Sequence, residues 1–297
     1  MKGLKTLLPA ALLLLLACGS SNKQALDRAR EALDKRDFSR ALAELVVLRN
    51  SEEELSTEAR YLLGRAYLGL NDLPETEMHF KALLAEDTIY EDSVALAYKQ
   101  RGLELGKVGE RELALECFEE AMRTSTAIDM SDAYALMGEL YSKYGELGRA
   151  VYYYRKTLAT LSDSTTRAFT WEKLILILER LGDPGDAFIA TEEAMHEHHY
   201  YLEPRYCQNG YLYAKDLLYR GQLDSAELVI TRVLQVPLSP LLRDDIYFIA
   251  GEIRLKNGDI EGARAAYREV LKLSVNASSA LVQRARERLA LLGEEVP

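Results

Sequence analysis

Seven times along this chain a residue at a close-packing position is followed twelve positions later by another. The pairs are Ala29 and Ala41, Gly64 and Thr76, Gly102 and Ala114, Gly138 and Ala150, Ile175 and Ala187, Ala214 and Ala226, and Gly251 and Ala263. All but Ile175 are small. The second members step by 35, 38, 36, 37, 39 and 37 residues, so the interval inside each unit is fixed while the connection between units varies. That arithmetic restricts the chain to an array of helix hairpins, because a globular core has no reason to repeat its spacing.

Within a unit, apolar residues recur at helical spacing on both sides of a turn. In the fourth, Tyr134, Met137, Gly138 and Tyr141 precede Tyr144-Gly145-Glu146, after which Ala150, Tyr154 and Leu158 resume the pattern. Two amphipathic helices around a tight turn are expected, with the small pair letting the backbones approach. Gly182, Asp183 and Pro184 read as a helix stop, a cap and a first helical residue. After the seventh unit, Ser279 to Leu292 predicts one more helix, with Leu281, Ala285, Leu289 and Leu292 on one face, to cover the end of the stack.

These residues resemble the tetratricopeptide repeat family, whose units are helix hairpins of about 34 residues. Gly251-Glu252-Ile253, Asn257-Gly258-Asp259, Ala263 and Tyr267 follow its pattern closely, as do Gly64, Tyr67, Asn71-Asp72 and Phe80. The first unit departs from it, with Arg36 in place of the turn glycine, and so does the fifth, with Ile175 and Thr191 at small and aromatic positions. The resemblance implies an all-α, right-handed α-solenoid of about seven hairpins over residues 23–275, then a capping helix and tail over 276–297. It also implies a protein or peptide partner in the groove lined by the first helix of each hairpin. Projected onto this chain, that groove holds Tyr61, Arg65, Lys99, Lys107, Glu139, Lys143, Glu172, Arg180, Tyr211, Lys215, Tyr219, Glu252 and Lys256. Lys107, Lys143, Arg180 and Lys256 stand out as a basic stripe suited to carboxylates, although each sits in a last helical turn, where the macrodipole favours a cation.

The first residues carry a second signal. Met1 to Ala17 holds two lysines, no acid and an apolar run from Leu7 to Leu16, too short to span a bilayer and suited to a signal peptide. Leu15-Leu16-Ala17-Cys18-Gly19 resembles the lipobox of bacterial lipoproteins, which implies cleavage after residue 17 and acylation of Cys18, leaving 18–22 as a short linker. Gly19, rather than aspartate, implies the periplasmic face of an outer membrane. Lipoproteins of this build resemble those serving β-barrel assembly, type IV pilus assembly and control of peptidoglycan enzymes.

A net charge of −10 disfavours nucleic acid as partner. Cys117 and Cys207, in non-adjacent units, are expected as buried thiols rather than a disulfide. No G-x-S-x-G, P-loop or H-E-x-x-H motif occurs, so neither enzymatic activity nor a cofactor is expected. The alternative to a scaffold rests on segment 192–219, rich in histidine and tyrosine. On a continuous helix Glu192, His196 and His199 would share a face and form a weak metal candidate, and the tyrosines would suit a small ligand.

Overall fold

The computed structural model describes residues 22–49, 55–197, 199–238, 242–274 and 279–294. Among them, fifteen α-helices follow one another without a strand. They are α1 (22–34), α2 (Phe38–Arg49), α3 (Thr57–Gly69), α4 (Leu73–Glu86), α5 (Glu91–Val108), α6 (Arg111–Thr124), α7 (Ser131–Lys143), α8 (Leu147–Thr160), α9 (Ser164–Leu181), α10 (Pro184–His196), α11 (Glu203–Tyr219), α12 (Leu223–Val233), α13 (Arg243–Lys256), α14 (Ile260–Leu273) and α15 (Ala280–Leu291). Helices α1 to α6 and α9 to α14 form six hairpins, each holding one twelve-residue pair, and α7 and α8 follow one another around Gly145. The chain divides into two compact units, Met1–Leu140 and Tyr141–Pro297.

The twelve-residue interval has a backbone explanation. Seven residues after the first member, one residue takes positive φ: Arg36 (60°), Asn71 (64°), Gly109 (91°), Gly145 (81°), Gly182 (71°), Gly221 (74°) and Gly258 (82°). A left-handed residue there turns the chain out of the first helix, and the next amide reaches back to close its last turn. Examples are Asp37 N to the Ala32 carbonyl (2.8 Å), Glu110 N to Leu105 (2.9 Å) and Asp259 N to Arg254 (2.9 Å). That next residue also caps the second helix, and its carbonyl accepts from the amide four positions on, which is the second member of the pair: Ala41 N donates to Asp37 (2.9 Å), Ala114 N to Glu110 (3.0 Å) and Ala263 N to Asp259 (2.9 Å). Steps of seven, one and four residues make the twelve. In the first hairpin arginine occupies the left-handed position and the turn still forms.

Packing inside the hairpins follows a volume rule. Four residues past the second member stands a buried side chain whose size complements the first member. Gly64 faces Phe80, Gly102 faces Phe118 and Gly251 faces Tyr267, and a Cβ on any of these glycines would come within 2.4, 2.6 and 2.5 Å of the opposing ring. Ala29 shares a cluster with Leu45, and Ala214 with Ile230. In the fifth hairpin both positions change together, Ile175 and Thr191, and both remain fully buried. Large meets small whichever helix supplies the bulk, so the interior stays filled.

The fifth hairpin also adds a polar element. The Thr191 hydroxyl donates to the Ala187 carbonyl at 2.6 Å, and buried Asn209 of α11 donates to Thr191 (3.4 Å) and to Glu179 of α9 (3.0 Å). Three helices are thereby fixed to one another. The final helix α15 is capped by Ser279 and buries Val282, Ala285 and Leu289, so Val282 takes the place expected for Leu281, which is only half-buried.

Candidate functional site

Within the first unit, several residues projected onto a partner face are used internally. The half-buried Tyr61 ring lies 6.1 Å from Phe80 and 5.5 Å from Tyr90, and its hydroxyl donates to the Ser93 carbonyl at 3.4 Å. Burial pushes its phenol pKa up. Arg65 lies over the Tyr61 ring at 5.7 Å. Lys99, with a side chain only 12% exposed, is held by Asp132 (2.7 Å) and the Asp129 carbonyl (2.6 Å). Lys107 and Glu139 are exposed.

The second unit shows the same division. Glu252 receives both Arg288 (2.7 and 3.0 Å) and the Tyr267 hydroxyl (2.7 Å). Burial opposes its ionisation, yet hydrogen bonds from Arg288 and Tyr267 outweigh that and hold its pKa below the usual carboxylate range. Glu252 therefore secures α15 to α13. Exposed Glu172 interacts with Tyr201, whose phenol is pushed up by burial first and then by Glu172. Lys215 lies over the half-buried Tyr211 ring at 5.7 Å.

Besides Glu139 and Glu172, the projected residues that stay exposed share one register position, five residues after the first member of a pair. Lys143, Arg180, Tyr219 and Lys256 occupy it in the second unit, and Lys107 in the first. All are exposed, Tyr219 to 77%, and among the described residues none of the four cations takes part in an ion pair. First helices of successive hairpins are neighbours, α11 against α13. Equivalent positions therefore recur along one edge of that unit. The helix dipole favours a cation at each of these ends.

The metal candidate is not assembled. Helix α10 stops at His196, because the Glu197 amide closes the last turn on Glu193 and Ala194, so His199 leaves the helical face that Glu192 and His196 share. Among the described residues, no group of three or more His, Cys, Asp or Glu is placed to hold a metal ion. Glu197 accepts two hydrogen bonds from Arg167, one at 2.9 Å, and one from the Trp171 indole at 3.0 Å. Its pKa is lowered chiefly by the Arg167 hydrogen bond, against burial. Arg167 also donates to the carbonyls of Leu158 and Leu161, tying the end of α8 to the end of α10.

The same segment instead forms the wall of an open cleft of about 680 Å³. Glu192, Met195 and His196 come from α10, Tyr200 from a short 3-10 turn, Tyr206 from α11, Arg232 from the end of α12, and Gln235 and Val236 from the connection after it. Sequence reasoning reached the histidine and tyrosines but missed Arg232, forty residues from its partner Glu192. Cys207, also buried, lies 3.9 Å from the Pro237 carbonyl, and Cys117 is buried in the first unit. Burial pushes the Cys117 thiol up to about 12, which keeps it protonated and unreactive.

Paired helices, one left-handed turn residue and a complementary volume pair define the class: an all-α array of tetratricopeptide-type hairpins. The family profile for the tetratricopeptide repeat matches residues 26–88 and 211–292, and the hairpins between those stretches share the same build. Such repeats serve as protein-interaction scaffolds, and the fold is typically non-catalytic. The chain is similar to a tetratricopeptide repeat protein from Parabacteroides merdae, at 17% identity over 93% of this chain and 100% of that one, with a TM-score of 0.37. It is also similar to the C-terminal part of a repeat protein from Cytophaga hutchinsonii, at 15% identity over 89% and 99%, with a TM-score of 0.38. A third similar structure is YrrB, described as having an unusual peptide-binding site, at 19% identity over 70% and 97%, with a TM-score of 0.35. No curated protein matches the chain.

Proposed function

We propose that this protein is a lipid-anchored scaffold of the cell envelope that holds a protein or peptide partner along the face of its first helices. The observation that carries this reading is the register row of exposed cations Lys143, Arg180 and Lys256 in the second unit, outside any ion pair among the described residues. The other projected positions are largely used for internal contacts. A chain of net charge −10 that keeps one row of unpaired cations is suited to acidic side chains or a terminal carboxylate on the partner. The test uses the mature domain without its acyl chain as bait in envelope extract. Reversing Lys143 and Arg180 to Glu is expected to release the captured partner, and capture that is indifferent to both reversals overturns the reading.

Anchoring rests on the lipobox, since Cys18 lies outside the described residues. Among those residues no helix is long and apolar enough to cross a membrane. Metabolic labelling with a palmitate analogue is expected to mark the native chain and not Cys18→Ser, with the native chain sedimenting with the outer membrane. Equal labelling of both chains removes the anchor from the proposal.

A further inference from the structure

Helices α10 and α12 belong to consecutive hairpins, and the interval between their packing residues, Ala187 to Ala226, is 39 residues, the longest in the array. The added length carries the short 3-10 turn Tyr200–Leu202, which sets Tyr200 at the rim of the 680 Å³ cleft. That volume falls within the range of small-ligand sites, about 300–1,000 Å³. The site departs from the repeat pattern and shares no residue with the register row, so it is independent of the scaffold reading.

Its polar groups have a definite order. Arg232 donates through Nη1 to both carboxylate oxygens of Glu192, at 3.3 and 3.1 Å. The Tyr206 hydroxyl donates to the same carboxylate at 3.4 Å, and burial, followed by the Glu192 charge, pushes that phenol up so that it remains a donor. Glu192 is thus turned toward two partners, which orients the guanidinium. A guanidinium presents five N–H donors in a rigid fork, so one used through Nη1 retains an edge for a second carboxylate. The Arg232 side chain is 45% exposed. His196, exposed on the same rim, adds a second donor. Around them stand apolar surfaces: Met195, Val236, the Tyr206 ring and the Tyr200 ring, the last 56% exposed. Aromatic rings and a thioether together favour an aromatic guest.

We infer that this cleft binds an aromatic carboxylate, its ring between Tyr200 and Met195 and its carboxylate on the Arg232 guanidinium with His196 beside it. The chemistry is common to a free aromatic acid and to a peptide ending in an aromatic residue.

The experiment is isothermal titration of the full mature chain with N-acetyl-L-phenylalanine, its amide, and a tetrapeptide ending in phenylalanine. A ligand of this size is expected to bind in about the millimolar range, with the amide weaker by about tenfold or more. Arg232→Gln and His196→Gln, both at exposed side chains, are expected to weaken the acid and leave the circular dichroism spectrum unchanged. Tighter binding of the tetrapeptide than of the free acid assigns the site to a peptide terminus, and the reverse assigns it to a small molecule. The inference is overturned if neither acid saturates the protein, if acid and amide bind alike, or if both variants bind as the native chain does.

Discussion

At the residue scale the interior is governed by complementary pairs rather than by conserved size at either position. Gly251 has room only for hydrogen because Tyr267 occupies the space, while in the fifth hairpin the equivalent positions hold Ile175 and Thr191, both fully buried. The two solutions should therefore be interchangeable as a pair and not singly. Ile175→Gly is expected to cost about 3–5 kcal/mol by opening a cavity in mid-helix, and Thr191→Phe about 1–3 kcal/mol by overpacking. The double variant should recover about 1–3 kcal/mol relative to the sum, because the new ring fills the new space. Recovery stops short of full, since Thr191 also accepts from Asn209. Urea denaturation of the four proteins measures the coupling, and additivity within about 0.5 kcal/mol defeats the argument. Much of this was legible in the sequence. The pairs Gly64 with Phe80 and Gly251 with Tyr267 stand at fixed spacing, and in the fifth hairpin Ile175 and Thr191 depart from the family pattern together.

Among the elements, the second helix of each hairpin begins at the residue that closes the first, but the cap varies in quality. Asp72, Asp183 and Asp259 each accept a first-turn amide through the side chain, at 3.3, 3.0 and 2.8 Å, whereas Glu110, Glu146 and Gln222 make no such bond. Gln222→Asp is expected to supply the missing acceptor to α12 and to raise stability by about 0.5–1 kcal/mol, read as a higher urea midpoint at unchanged slope. The Arg167–Glu197–Trp171 cluster governs a different dependence. Glu197 has a folded pKa below its unfolded value, so its contribution is fully present above the unfolded value near 4.5 and is lost as pH falls through the folded value. Between about pH 5 and 3 the native chain should therefore lose stability faster than Glu197→Gln, and parallel curves across that window would exclude the cluster as a cause. Helix ends were the least legible feature. Treating residues 192–199 as a continuous helix gave the metal candidate, and the backbone turn at Glu197 removes it.

For the whole molecule, the arrangement of hairpins makes stability a sum of neighbouring contacts, so what a residue supports depends on where its hairpin stands in the array. The cleft at Glu192 and Arg232 shows why sequence could not reveal everything: its residues come from three helices and two connections, brought together by stacking rather than by any spacing along the chain. The last helix is a sharper case. Ala285 and Leu289 of α15 complete a cluster with Phe248, Ala263, Tyr267 and Val270, while Arg288 neutralises Glu252 at its edge. Leu289→Ala opens a cavity there and is expected to cost about 2–5 kcal/mol. Because contacts are local, the loss should not be shared evenly. Hydrogen exchange should speed first in α13, α14 and α15, while amides of α3 to α6 keep their native protection under conditions where the array stays folded. Uniform acceleration across all fifteen helices would instead mean that the chain unfolds as one cooperative body, and the additive picture of the array would have to be abandoned.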